Sequence, residues 1–415
     1  ELPLLHRDFW RHFDADLTAS RPNCSNITHN QTLNVVGLDD EPPPRPMKVL
    51  LEYEQHRALK TAHHDFVERV LNRTCELAYV PGSRGIVITA GGSYLIHALV
   101  TVRMLRRTGT DLPVEVFLRD PAEGDVRICD DIFPMLNAKC VPLSQTLGDD
   151  IDKLGKYGYK MIAMLVSSFE EFLYLDADCF TLYSPDVLFT KPRFTTHGLV
   201  LWPDFCPLFF DIANIAMPPM DHSQVASEAG AIIFSKRTHT DSLLIAAYYN
   251  FYGPAFYYKL HSQGALGEGD KETFRWSAVA SDGPWYQVKS RVKHLGFTTK
   301  DGERRDSMMA QYTPMIDLKA GPEEAQPFFA HAHNPKLDPD WMFNEKTGTL
   351  FDSDGSMRRI WHENATQAME YFGSRYDAEA WMWEEMRDMA CEYEKLFHRT
   401  ACVIGTRYLE EVFQA

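Results

Sequence analysis

The run Gly85-Ile86-Val87-Ile88-Thr89-Ala90, which passes into Gly91-Gly92-Ser93, constrains the fold most. A helical pattern over 94–107 and a second apolar run at 114–118 follow it. Two β-rich runs joined by one helix make a βαβ unit, which sets the strands parallel and requires helices on the sheet faces. The alternation continues to about residue 235, with a helical pattern at 160–168 and strand-like runs at 172–175, 198–202 and 230–234. Beyond it, 241–250, 271–278 and an acidic, aromatic stretch over 378–398 read as helices, and 47–77 reads as one before the sheet begins. The fold class is therefore α/β, a sheet flanked by helices with a more helical C-terminal part. A chain of 415 residues, 45% hydrophobic, is long and apolar enough to bury such a core.

Phe172-Leu173-Tyr174-Leu175 ends abruptly in Asp176-Ala177-Asp178. Alternation along a strand predicts that both carboxylates leave its end on one side, as hard oxygen ligands for a divalent cation. The same tripeptide stands at Asp14-Ala15-Asp16, where no strand-like run precedes it and a turn or cap explains it. In an open α/β sheet ligands sit outside the carboxyl ends of strands, so the Thr89-Ala90-Gly91-Gly92 turn marks a second place where a ligand is expected. Glycine lets the backbone approach closely, and a helix starts there. Neither the dinucleotide fingerprint nor a P-loop is present. Lys160 precedes the acidic pair on a helix and is expected to aim its ammonium at phosphates.

Three later segments hold groups of the right kind. Ser227-Glu228-Ala229-Gly230 opens an apolar run, which predicts the Glu228 carboxylate at a strand mouth. In Gly269-Asp270-Lys271 the aspartate is either a helix N-cap or a catalytic carboxylate. Ala330-His331-Ala332-His333 puts two histidines on one face of an expected strand, near Lys336, and either completes a metal site or packs in the core. Trp202, Asp204, Gly230 and Lys271 are expected to bind the substrate.

A formal charge of −16 and the lack of basic runs exclude a nucleic-acid surface. Five sequons, at Asn23, Asn26, Asn30, Asn72 and Asn364, together with eight cysteines, point to a secretory compartment. Three of the sequons lie before the Pro42–Pro46 linker, so residues 1–46 read as a glycosylated stem. The cysteines permit four disulfides, or fewer with buried free thiols. The chain opens at Glu1 without a start methionine or signal peptide, so a segment upstream is expected to have been removed.

In their order, residues 84–92, 112–117, 173–178 and 269–274 resemble the fungal Golgi α-mannosyltransferases of glycosyltransferase family 71, and within it the α-1,2 branch-initiating enzymes. The resemblance runs over about 46–345. It implies a GT-A type, Rossmann-like nucleotide-binding sheet, a catalytic domain over 47–345, an unmatched helical extension over 346–415 and a type II membrane anchor outside this sequence. It further implies Golgi residence, GDP-mannose as donor, an α-mannoside acceptor, Mn²⁺ and retention of configuration. Carried over by position, Asp176, Asp178 and His331 hold the metal, His333 being the less favoured histidine. By their place at the strand ends, Thr89, Ala90, Gly91, Gly92, Lys160, Asp176 and Lys336 are expected to meet the donor. Retention needs either a β-face carboxylate as nucleophile, for which Glu228 and Asp270 are the candidates, or a front-face attack in which the departing phosphate deprotonates the acceptor hydroxyl. An α-1,3-mannosyltransferase, a metal-dependent phosphate-ester hydrolase and a carbohydrate-binding protein with a vestigial site are the alternatives.

Overall fold

The computed structural model describes residues 2–28, 49, 51–73, 76–207, 225–262, 268–315, 326–347, 349–372 and 377–414. Asn30, the Pro42–Pro46 linker and Cys75 lie outside them. A seven-stranded sheet has the order β3-β2-β1-β4-β7-β6-β8, from Val80–Thr89 (β1), Val114–Leu118 (β2), Ala138–Pro142 (β3), Phe169–Asp176 (β4), Leu199–Pro207 (β6), Val225–Ser235 (β7) and Tyr286–Gln287 (β8). β1 pairs parallel with both β2 and β4, and the crossover between β1 and β2 contains the helix Tyr94–Arg107. β4 pairs antiparallel with β7, and β7 with β6. Being central and covered on both faces, β4 is apolar throughout Phe172–Leu175, each residue fully buried. The sheet-and-helix architecture expected from the alternation is thus present, with an antiparallel half that the βαβ reasoning did not foresee.

A second sheet, order β5-β11-β10-β9, is built from Cys179–Thr181 (β5), Lys293–Thr298 (β9), Arg304–Tyr312 (β10) and Pro327–His331 (β11). Its β9–β10 hairpin was not anticipated, because β10 opens on Arg304-Arg305-Asp306 and has no clear alternation. Asp301-Gly302, with Gly302 at φ +85°, is the turn signal that marks it. β5 follows β4 after Ala177-Asp178, so the acidic pair lies where the chain leaves one sheet and enters the other.

One core lies between the two sheets and the C-terminal helices Ala378–Glu392 and Arg399–Phe413. The other, on the opposite face of the large sheet, includes the helix Leu2–Ala19. Phe9, Trp10, Phe13 and Leu17 are buried there, and Trp10 Nε1 donates to Asp150 at 3.0 Å. The expectation of a stem over 1–46 therefore needs correcting for its first twenty residues: their apolar stripe is packed, not solvated. Disulfides join Cys129 to Cys140 and Cys391 to Cys402, while Cys24 and Cys179 are free thiols, so four disulfides do not form. No helix of the described residues is long and apolar enough to cross a membrane.

Candidate active site

A cavity of about 560 Å³ opens at the carboxyl ends of β1, β2 and β4, lined by Thr89, Gly91, Lys160, Asp176, Asp178 and His331 among others. The place is the one that parallel-sheet physics predicts. Thr89 and Asp176 are register partners, and Tyr174 lies between them: its hydroxyl is 2.6 Å from Thr89 Oγ1 and donates to Asp176 Oδ1 at 2.7 Å. Gly91 and Gly92 have φ of +154° and +54°, and a Cβ on Gly91 would overlap Glu123 Oε2. Glycine is required here both by conformation and by close approach.

The acidic pair does not act as the alternation rule predicts. β4 ends at Asp176, the chain turns at Ala177, and the two carboxylates then face different neighbours. Asp176 pairs with Lys160 at 3.0 Å, whereas Asp178 accepts from His331 Nε2 at 3.1 Å and pairs with Lys336. The turn is fixed from behind by Thr101 Oγ1, which donates to the Ala177 carbonyl at 2.7 Å. It is fixed in front by Ala332 N, which donates to the Asp178 carbonyl at 2.8 Å. Pairing of β11 with β5 sets His331 opposite Cys179 and so brings the ring to the acidic turn.

Asp176, Glu228 and His331 each offer a ligand atom within 4.8 Å of the others, and this is the metal-capable group among the described residues. Two carboxylates and an imidazole suit a hard to borderline divalent ion. His331 Nδ1 is buried without a hydrogen-bond partner, 3.5 Å from Glu228 Oε1. The residues present therefore fit a divalent cation. Of the expected ligands Asp176 and His331 belong to this group; Asp178 stands beside it, bound to His331 and Lys336, and Glu228 takes the third place.

Charges alternate through the site: Asp270, Lys160 and Asp176 on one side, and Glu228, His331, Asp178 and Lys336 on the other. Burial disfavours a charged His331, but Glu228 and Asp178 on either side outweigh it and hold the imidazole well above its usual range. Burial likewise opposes the Glu228 carboxylate, yet His331 and Lys160 bring it down to about 2. Asp270 is pushed up by burial, with Lys160 pulling the other way. Burial opposes the Lys160 ammonium, and the two aspartates at 3.0 Å reverse the balance and keep it charged.

Several expectations need correcting. Lys160 does not reach for phosphates: its ammonium is buried against Asp176, Asp270 and the Ala229 carbonyl, which occupy its three donors. Glu228 is inside β7 rather than at its mouth, because the strand begins at Val225, hidden in sequence by the small residues Ala226, Ser227, Ala229 and Gly230. Trp202 is a core residue with no exposed surface; it stacks edgewise on Phe329 and donates from Nε1 to the Tyr312 carbonyl at 2.8 Å. Gly230 serves packing, since a Cβ there would stand 2.6 Å from the His331 ring. Asp204 and Lys271 pair with each other at 2.7 Å. The N-cap of the helix Thr273–Ala280 is Glu272, not Asp270, and His333 lies beyond the end of β11 and is exposed. Sequence reasoning missed Tyr94, Tyr157, Arg119 and Glu123, which line the cavity; nothing but their proximity to the strand ends marked them.

Residues 83–223 and 215–315 match the mannosyltransferase family model Mannosyl_trans3. The chain is 36% identical over 316 residues to Alpha-1,2-mannosyltransferase MNN24 of Candida albicans, covering 65% of this chain and 44% of that one. It is 31% identical to MNN21 of the same organism, covering 83% and 63%, and 33% identical to Alpha-1,2-mannosyltransferase MNN2 of Saccharomyces cerevisiae, covering 61% and 49%. The chain thus spans about half the length of these relatives. Among solved structures it is similar to the galactosyltransferase LgtC, with a TM-score of 0.34, 13% identity and 50% and 73% of the two chains covered. Mouse xyloside xylosyltransferase 1 has a TM-score of 0.33, 12% identity and 50% and 86% coverage.

Proposed function

The chain belongs to the mannosyltransferase family Mannosyl_trans3, and on that premise we propose that it is a retaining α-1,2-mannosyltransferase. It would move mannose from GDP-mannose to the α-mannoside outer chains of N-glycans and mannan. The observation that carries this reading is the cluster of Asp176, Glu228 and His331 at the carboxyl edge of the sheet, next to a glycine turn open to a nucleotide-sized cavity. A divalent ion, which we assign as Mn²⁺, would neutralise the departing diphosphate as a Lewis acid. Asp178 and Lys336 flank that position, Lys336 with its ammonium partly exposed and able to meet phosphate oxygens.

Thr89, Ala90 and Gly91, which line the cavity, would form the floor under the nucleoside. Lys160 positions rather than binds, holding the Asp176 and Asp270 carboxylates at fixed distance. Retention by double displacement requires a carboxylate on the β-face of the anomeric carbon, whereas a front-face attack lets the departing phosphate deprotonate the acceptor. We assign the β-face role to Asp270, a carboxylate outside the metal-capable group that is buried against Lys160, with Glu228 moved to ligation. Exposed sequon residues at Asn23, Asn26, Asn72 and Asn364 support a glycosylated enzyme of the secretory pathway, which we place in the Golgi.

The test is transfer from GDP-mannose in Mn²⁺ to an α-1,6-linked mannobiose, with the product linkage read by NMR. An α-1,2 bond is expected. An α-1,3 or β bond would contradict the branch or the mechanism, and donor hydrolysis without transfer would favour a phosphate-ester hydrolase.

A further inference from the structure

The geometry points to Glu123 as the residue that selects the nucleobase, accepting from the two adjacent donors on the Watson–Crick edge of guanine. This rests on the proposed GDP-linked donor. Asp176, Thr89 and Phe117 are register partners on the adjacent strands β4, β1 and β2, so they mark a line about 10 Å long across the sheet edge at ~4.8 Å per strand. With the diphosphate at the Asp176 end and the ribose over Thr89 and Ala90, the base comes to rest at the β2 end, where Phe117, Arg119 and Glu123 line the same cavity.

Glu123 is held there by its backbone. It closes the short turn Pro121–Glu123, capped by Asp120, whose side chain accepts from Ala122 N. Gly92 N donates to the Glu123 carbonyl at 2.9 Å, and the bare Cα of Gly91 leaves room for the carboxylate at the cavity wall. The carboxylate itself accepts one long hydrogen bond, 3.4 Å from Arg119 N, and forms no ion pair among the described residues. Neighbouring Arg119 does not neutralise it, because that guanidinium pairs with Asp120 and Asp152. A half-buried carboxylate with unused lone pairs accepts donors and repels acceptors. Guanine presents N1–H and the N2 amino group side by side. Uracil presents one N–H between two carbonyl oxygens, so the same group both recruits guanine and rejects uracil.

Calorimetry of the whole chain in Mn²⁺ with GDP, IDP and UDP tests this. IDP lacks only the N2 amino group. The unaltered protein should bind GDP roughly 10- to 100-fold more tightly than IDP, the range for one hydrogen bond to a charged group. In Glu123→Ala that difference should vanish and the GDP:UDP preference should fall by about 10-fold or more. Glu123→Gln, which keeps the shape and one acceptor, should lie between and serves if the alanine variant does not fold. If the unaltered protein prefers GDP to UDP but does not distinguish GDP from IDP, or if the variants keep its preferences, the assignment of Glu123 is wrong while the donor stands. Preference of the unaltered protein for UDP would overturn the donor reading itself.

Discussion

Asp176, Asp178, Glu228, Asp270, His331 and Lys160 are each held by an opposite charge on a different element, and Lys160 is the group on which most depends. It comes from the helix Lys156–Val166 and reaches Asp176 at the end of β4 and Asp270 in the loop before the helix Thr273–Ala280. Removing one partner of a buried ion pair leaves an uncompensated charge, which costs about 3–5 kcal/mol. Lys160→Met should therefore lower unfolding stability by that order, and adding Asp270→Asn should restore part of it. Denaturant titration of the single and double variants checks this; equal loss in both would mean that Lys160 and Asp270 are not coupled. Gly230 shows a different dependence, on absent atoms: no side chain fits between β7 and the His331 ring. Neither dependence is visible in the local sequence, since Lys160 and Asp270 are more than a hundred positions apart.

At the scale of elements, the helix Lys236–Phe251 begins with a fully buried lysine. Lys236 donates to the carbonyls of Leu165 and Ser167 at 2.9 and 2.6 Å, so it caps the C-terminal end of the helix Lys156–Val166. Burial brings its ammonium down to about 7, with buried Glu115 opposing. His6 and the Phe172 ring are its other neighbours. The unfolded chain, whose lysine titrates near 10.5, holds more protons than the folded one between about pH 7 and 10.5, so this residue's contribution to stability rises with pH across that window. Relative to Lys236→Met, the unaltered protein should gain at most about 1.4 kcal/mol per pH unit between pH 7.5 and 9.5. A gap that does not change with pH would show that the two carbonyls keep the ammonium charged in the fold.

For the whole molecule, the two sides of the large sheet are closed by the chain's two ends. The C-terminal helix Ala378–Glu392 is clamped to Tyr94–Arg107 by Arg103 and Arg107 with Glu385, at 2.8 and 3.0 Å. The N-terminal helix covers the other face, and deleting residues 1–21 would uncover the surface under Phe9, Trp10, Phe13 and Leu17. At about 1.5–3 kcal/mol for each large buried side chain, thermal unfolding of the shortened protein should occur far below that of the whole chain. A removable stem would leave it unchanged. The sequence by itself determined the βαβ unit, the helix over 94–107, the strand over 114–118 and the end of the apolar run at Asp176. Those features follow from local periodicity and from residue type. Tertiary structure alone decided that Asp176 and Asp178 part at a turn between two sheets, that Glu228 joins Asp176 and His331, that Trp202 is core and that Lys160 is enclosed by aspartates. Contacts between residues distant in sequence depend on strand order and register, and the antiparallel pairings β4–β7 and β5–β11 that create them leave no periodic trace in either partner alone.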